Sequence, residues 1–146
     1  MTLTKFEVVD LQLAHLHKLL ALPPGGPVTP ETLVRSYFSE GSASYCLLAD
    51  GEPVFSGGVV NMQWNRGEAW ITPNNFFHRN LRICFRTLRK MLPEIAASHN
   101  FHRVQAVCSA DVSGKLFLRL GFEYEGTLKS FGPFGECCTM YAKVFQ

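Results

Sequence analysis

One amphipathic helix set between two strands constrains this chain more than any other feature. Leu81, Phe85, Leu88 and Leu92 fall at i, i+4, i+7 and i+11, which makes a single apolar stripe. Arg79, Arg82, Arg86 and Lys90 occupy a second face, with no Asp or Glu between Arg79 and Pro93. Pro93 is surrounded by good helix formers, so the helix continues through it or kinks there. Before the helix, Glu68-Ala69-Trp70-Ile71-Thr72 reads as a strand ending at Pro73; after it, Arg103 to Cys108 reads as another. Strands joined through a helix in this way are expected to run parallel.

The rest of the chain supplies strands that a parallel sheet does not need. Phe6-Glu7-Val8-Val9 is a short strand, followed by a helical stretch from Leu11 to Leu22 with Leu13, Leu16 and Leu20 at helical spacing. Pro23-Pro24-Gly25-Gly26-Pro27 breaks that helix and is the best candidate for a flexible segment. Thr29-Pro30-Glu31-Thr32 starts a second helix, with Thr29 as N-cap, expected to end near Glu40-Gly41. Tyr45 to Ala49 runs into Asp50-Gly51, a hairpin signal. Val54 to Met62 resumes the strand, where Gly57-Gly58 suggests a bulge or a close backbone approach. Asn65-Arg66-Gly67 is a second turn. Val112 to Leu120 is a short helix closed by Gly121, and strands at Phe122–Lys129 and Thr139–Phe145 follow, joined by the loop 130–136. The order predicts one α/β (α+β) domain over 1–146, with a mostly antiparallel twisted sheet and helices on both faces.

Composition excludes several functions. Hydrophobic residues are 47% and charged residues 18% of 146, which suits a globular chain rather than a disordered one. The formal charge of +2 is too small for a protein that coats nucleic acid or an anionic membrane. No run approaches the ~20 apolar residues of a membrane helix. The N-terminus lacks the layout of a secretory signal, so a cytoplasmic location is expected. Cys46, Cys84, Cys108, Cys137 and Cys138 include no Cys-x-x-Cys pair, so free thiols are expected, with the last two on opposite faces of a strand. His15, His17, His99 and His102 lack companions at ligand spacing, and no metal site is expected.

The element order, together with Leu-Gly-Phe-Glu-Tyr-Glu-Gly at 120–126, resembles the GNAT acyltransferase superfamily over nearly the whole chain. Phe117-Leu118-Arg119-Leu120-Gly121-Phe122 matches the family's aromatic–x–x–x–Gly–Phe ending, and Pro73 with Asn74–Arg82 stands where the family's phosphate loop follows its fourth strand. Less closely, the chain is similar to diverged GNAT-like proteins of short-tailed bacteriophages. The resemblance implies that acetyl-coenzyme A enters a V-shaped opening between the fourth and fifth strands. Its pantetheine amides would meet backbone groups of Ile71 and Thr72, and its phosphates the segment Arg79, Asn80, Leu81 and Arg82. Phe77, Ser113, Leu116 and Phe117 complete the implied cofactor contacts. Where the family has Arg/Gln-x-x-Gly-x-Gly/Ala, this chain has Arg79-Asn80-Leu81-Arg82-Ile83-Cys84, so Arg82 and Cys84 replace the glycines. Phe117 stands where many members carry a tyrosine that protonates the departing thiolate.

Acyl transfer to an amine also needs a base. Glu68, beginning the fourth strand, is one candidate. Asp111 is the other, and it also suits the N-cap of the helix near Val112. Cys108 and Ser109 end the fifth strand near the expected thioester, and His78 lies in the presumed phosphate loop. Trp64, Trp70, Phe76, Phe77, Phe131 and Phe134 are candidate pocket aromatics or core. Two functions are therefore open. The first is an acetyl-coenzyme A-dependent N-acyltransferase acting directly on an amine in a ternary complex, as a monomer or homodimer. The alternative is a catalytically degenerate scaffold that binds a protein partner, such as a phage product that modulates a host enzyme in the host cytoplasm or sits in the virion.

Overall fold

The computed structural model describes residues 3–20, 36–72, 75–109 and 111–145, without the side chains of 111–113. Strands β1 (Phe6–Asp10), β2 (Ala43–Ala49), β3 (Glu52–Asn61), β4 (Arg66–Ile71), β5 (Arg103–Cys108), β6 (Glu123–Leu128) and β7 (Cys138–Val144) form one 7-stranded sheet. Helices α1 (Leu13–Leu19), α2 (Asn75–Arg79), α3 (Leu81–Ser98) and α4 (Asp111–Arg119) pack on it. The sheet order is β1-β2-β3-β4-β5-β7-β6, and only β4 and β5 run parallel. The expected mixed α/β fold, with parallel strands flanking the Arg-rich helix, is what forms. No helix among the described residues is long and apolar enough to cross a membrane.

Each face of the sheet buries its own core. On one face Tyr45, Leu47, Phe55, Val59, Ala69, Val104 and Ala106 meet Leu88, Leu92 and Ile95 of α3 and Leu116 and Phe117 of α4. On the other, Cys46 meets Leu11, Leu16 and Leu19, with Trp70 and Tyr37 packed against them. Alternation along β4 therefore sends Ala69 and Ile71 to the α3 face and Glu68 and Trp70 to the α1 face.

Several boundaries move for local reasons. The stretch 75–79, expected as loop, is helical as α2, and Asn80 separates it from α3. Leu81 therefore caps the apolar stripe without joining the core and is 39% exposed. α3 runs through Pro93, which lies on its exposed side. The hairpin at Asp50-Gly51 is as expected, with both residues at positive φ (49° and 84°). The next turn falls earlier than expected: Gln63, Trp64 and Asn65 take φ of 70°, 54° and 57°, so Arg66 and Gly67 join β4. Helical backbone at 36–37 ends before Ser39, short of Glu40-Gly41, and Ser39 and Ser42 then bond each other in a turn. The proline–glycine segment 23–27 and the helix start at 29–32 lie outside the described residues, as do 21–22 at the end of the first expected helix.

The pair Gly57-Gly58 marks close approach; the bulge lies further back on β3, where Val54 is the extra residue between Pro53 and Phe55 opposite Leu48 and Leu47. A Cβ on Gly58 would overlap the Ala43 carbonyl oxygen and lie 2.8 Å from Ser44 Cα. Those atoms are backbone of β2 and cannot rotate away. Gly58→Ala should therefore lower stability in urea unfolding by about 1–3 kcal/mol, the usual cost of overpacking. Gly126→Ala, where nothing lies within 4 Å of the new atom, is the matched control. It should change stability by no more than about 0.5 kcal/mol; equal effects at both sites would contradict this packing.

Candidate active site

The β4–β5 pairing runs Arg66↔Arg103, Gly67↔Val104, Glu68↔Gln105 and Ala69↔Ala106, and then stops. Trp70 and Ile71 have no partner on β5, although β4 stays paired to β3 through Gly57↔Ile71. β5 likewise stays paired to β7 through Cys108↔Thr139. The two strands thus part toward their C-terminal ends, as the resemblance required. The opening leads into a cleft of about 540 Å³, within the range of small-molecule sites. Ile71, Ala69, Cys108 and Phe117 line it on the α3 face, and Glu68, Trp70, Val107 and Tyr37 line it on the α1 face.

Backbone alternation decides which groups face the gap. Met62 N–H donates to Arg66 C=O at 2.9 Å, and Thr72 N–H donates to Ser56 C=O at 2.9 Å. Residues 66, 68, 70 and 72 therefore direct their backbone groups at β3, and 67, 69 and 71 direct theirs at β5. Ile71 consequently points its amide and carbonyl into the opening. Thr72 does not: its N–H serves Ser56, and its Oγ1 accepts the Ser56 N–H at 2.8 Å. Thr72 is a buried clamp, 2% exposed, and the expected cofactor contact at this residue is withdrawn.

Phe117 is placed by the end of α4. Phe122 N–H bonds Phe117 C=O at 3.0 Å and Gly121, at φ 92°, bonds Leu118 C=O at 3.1 Å, a Schellman cap. The Phe117 and Phe122 rings meet edge to face at 5.0 Å. The aromatic–x–x–x–Gly–Phe pattern is thus a helix stop that holds its first aromatic in the cleft wall, with no hydroxyl on it. Leu116, one residue earlier, is buried in the core and does not line the cleft. Phe77 is likewise removed as a cofactor contact: it is wholly buried and stacks on Phe55 at 5.8 Å. Both face inward because the α3-side core needs their area. The side chains of Asp111 and Ser113 lie outside the described residues.

Arg79, Asn80, Leu81 and Arg82 are contiguous at the start of α3. Asn80 turns its amide back to the Phe76 carbonyl at 3.1 Å and makes no cap, which leaves the first-turn N–H groups uncapped. Arg79 and Arg82 are exposed beside them. Cys84 turns its side chain into the core, where burial raises its thiol to about 12. Its side chain therefore does not obstruct the helix start where the resemblance calls for a small residue. His78 is exposed and lies against the Phe77 ring.

Two ionisable groups in the cleft are desolvated. Burial raises the Glu68 carboxyl above its ordinary value of 4.5, and the Gln105 side chain across the strand pair offsets part of that rise. Burial, then the neighbouring Cys138, raises the Cys108 thiol to about 12, which leaves it a poor nucleophile. Of the candidate aromatics, Trp70 and Phe131 line the cleft. Trp64 is exposed under Arg66, Phe76 packs on the core and near Phe6, and Phe134 is exposed on its loop. Ser109 lines the cleft as well. Sequence reasoning missed Tyr37, whose ring stacks on Trp70 at 3.5 Å and 2°, and Glu136. No local pattern brings residue 37 to residue 70; the contact is made only by the folded sheet.

No protein-family model matches the chain, and no curated protein sequence matches it significantly. Solved structures do. Ard1 from Thermoplasma volcanium superposes with a TM-score of 0.79 at 8% identity, over 97% of this chain and 98% of that one. A GNAT-family acetyltransferase from Streptococcus pneumoniae gives 0.71 at 13% identity, over 97% and 100%. A variant of spermidine N-acetyltransferase from Vibrio cholerae gives 0.73 at 12% identity, over 94% of each. At such identities the likeness is one of fold: the chain folds as GNAT acetyltransferases do.

The Glu68 shift has a sign that can be tested. Between 4.5 and its raised folded value, the folded state binds more protons than the unfolded one, so this group's contribution to stability falls as pH rises. Glu68→Gln removes that dependence. Relative to wild type, the variant should gain more stability at about pH 7 than at about pH 4 in urea unfolding. An equal or opposite difference would mean that the carboxylate is not desolvated.

Proposed function

We propose that this chain is an acetyl-coenzyme A-dependent N-acyltransferase acting by direct transfer from thioester to amine in a ternary complex. The observation that carries the reading is the parting of β4 and β5 after Ala69 and Ala106, with Ile71 backbone groups facing the gap and Glu68 beside it. The residues present fit the cosubstrate. Ile71 offers an amide and a carbonyl to pantetheine, the uncapped start of α3 offers N–H groups to phosphate, and Arg79 and Arg82 add charge-assisted bonds. Phe117 packs against the arm.

In this reading the amine first gives its ammonium proton to water, its neutral nitrogen attacks the thioester carbonyl, the carbon–sulfur bond breaks, and coenzyme A leaves as a thiolate. A thiol of pKa ~8.5 tolerates leaving unprotonated, so Phe117 need not supply a proton. Glu68 accepts the proton lost by the amine on attack, directly or through water, and the burial that raises its pKa makes it a stronger base than an exposed carboxylate. Positioning of the two substrates supplies most of the rate.

A second reading is favoured by Phe117 and by Arg82 at a glycine position: a degenerate scaffold that binds a protein partner, phage or host. Calorimetry and a coenzyme A-release assay separate the two. For an enzyme, acetyl-coenzyme A binds, Arg82→Ala weakens binding at least about tenfold, as loss of a bond of about 1.5–3 kcal/mol requires. Glu68→Gln then lowers kcat by roughly 10²-fold or more without altering that affinity. Absence of binding at millimolar acetyl-coenzyme A contradicts the proposal; binding without transfer to any amine supports the scaffold.

A further inference from the structure

The α1 side of the cleft carries a chemical signature of its own. Its walls are the stacked Tyr37–Trp70 pair, Val60 and Val107, and the 130–136 loop adds Phe131 and Pro133 to the same cleft. Its charged groups are Glu68 and Glu136, and no Lys, Arg or His lines the cleft among the described residues. Glu136 is half-buried; its carboxylate accepts the Phe134 N–H at 3.0 Å and sits over Gly132, where a Cβ would strike it. Only the absence of a side chain at Gly132 lets the acid lie there. The charge of Glu68 reaches Tyr37: burial first, and then that carboxylate, push the Tyr37 hydroxyl up to about 12. An aromatic platform thus stands next to an underpaired carboxylate, with a second acid across the mouth.

Such a lining discriminates. Glu68 and Glu136, the charged groups of the described lining, repel an acceptor that carries a carboxylate or phosphate, and desolvation strengthens the effect. The faces of Tyr and Trp attract an ammonium and bury apolar surface. A polyamine satisfies the charges and leaves the aromatic walls unused. Resting on the acyltransferase reading, we propose that the acceptor is a small primary amine, cationic in solution, joined by a short linker to an aromatic or branched apolar group and bearing no acid. Tyr37 and Trp70 hold its apolar body, and Glu136 is the counter-charge that selects it. The loop 130–136 on one side and residues 36–37 on the other wall the cleft, which favours a small molecule over a polypeptide.

The test reads binding and transfer separately. Trp64 is exposed, so Trp64→Phe leaves Trp70 as the one tryptophan of the chain. Its fluorescence is titrated with phenethylamine, 3-phenylpropanoate, phenylalanine and spermidine, with and without acetyl-coenzyme A. Phenethylamine should bind at concentrations roughly tenfold or more below the other three, as a cation–π contact together with an ion pair implies. Glu136→Gln should weaken phenethylamine several-fold and leave acetyl-coenzyme A affinity unchanged by calorimetry. Tyr37→Leu should do the same, and it keeps a bulky apolar side chain should Tyr37→Ala fail to fold. Equal or tighter binding of the acidic compounds or of spermidine overturns the inference. So does acetyl transfer confined to spermidine, to acidic amines or to peptide N-termini, although the acyltransferase reading would then stand. Tight phenethylamine binding without acetyl transfer to it also overturns the inference, because the molecule held is then a ligand and not an acceptor; transfer to some other amine keeps the acyltransferase reading, and transfer to none removes it.

Discussion

The site depends on two ladders that pull apart. β4 remains fastened to β3 to its end and beyond, through Gly57↔Ile71 and then the reciprocal bonds between Ser56 and Thr72. β5 remains fastened to β7 as far as Cys108↔Thr139. Between them the parallel pairing lasts only from Arg66↔Arg103 to Ala69↔Ala106. A backbone left unpaired inside a protein costs free energy unless water or a ligand satisfies it. Ile71 is that backbone here. An extended ligand with alternating amide donors and acceptors would complete the interrupted ladder, and pantetheine is such a ligand. Phe117, held by its contact with Phe122 at the end of α4, is another wall of the same opening.

Much of this architecture was legible in the residues. The period-3.6 stripe of Phe85, Leu88 and Leu92 and the strand from Arg103 to Cys108 appear as expected, because long amphipathic segments carry their own period. The gap between the fourth and fifth strands came from the resemblance alone. Thr72 failed as a cofactor contact because strand alternation, which depends on register with β3, turns its backbone the other way. Phe77 and Leu116 failed because an apolar residue next to a binding segment serves equally well as core. Leu81 was assigned to the stripe when a helix break at Asn80 had already rotated it outward. Tyr37 was invisible because it reaches the cleft by a contact far along the chain, and Glu136 because it is held within its own loop, through the Phe134 N–H, with no pattern in 130–136 to mark the loop's place at the cleft.

The structure carries two electrostatic settings of opposite sign. The start of α3 carries exposed Arg79 and Arg82 beside uncapped N–H groups, a setting for anions. The cleft carries Glu68 and Glu136 among aromatic rings, a setting for a cation. In the proposed reaction the first setting would take the anionic acyl donor and the second the cationic amine. Burial raises the thiols of Cys46, Cys84 and Cys108 to about 11, about 12 and about 12, which leaves these three poor nucleophiles.

The central claim is that Ile71 presents its backbone to a ligand while Thr72 is already occupied. Amide hydrogen exchange of the free protein and of the protein with saturating acetyl-coenzyme A tests it residue by residue. The account predicts that the Thr72 amide is protected in both states and that the Ile71 amide, unprotected alone, becomes protected when acetyl-coenzyme A is added. An Ile71 amide already protected in the free protein, or one whose exchange is unchanged while acetyl-coenzyme A binds, would contradict it.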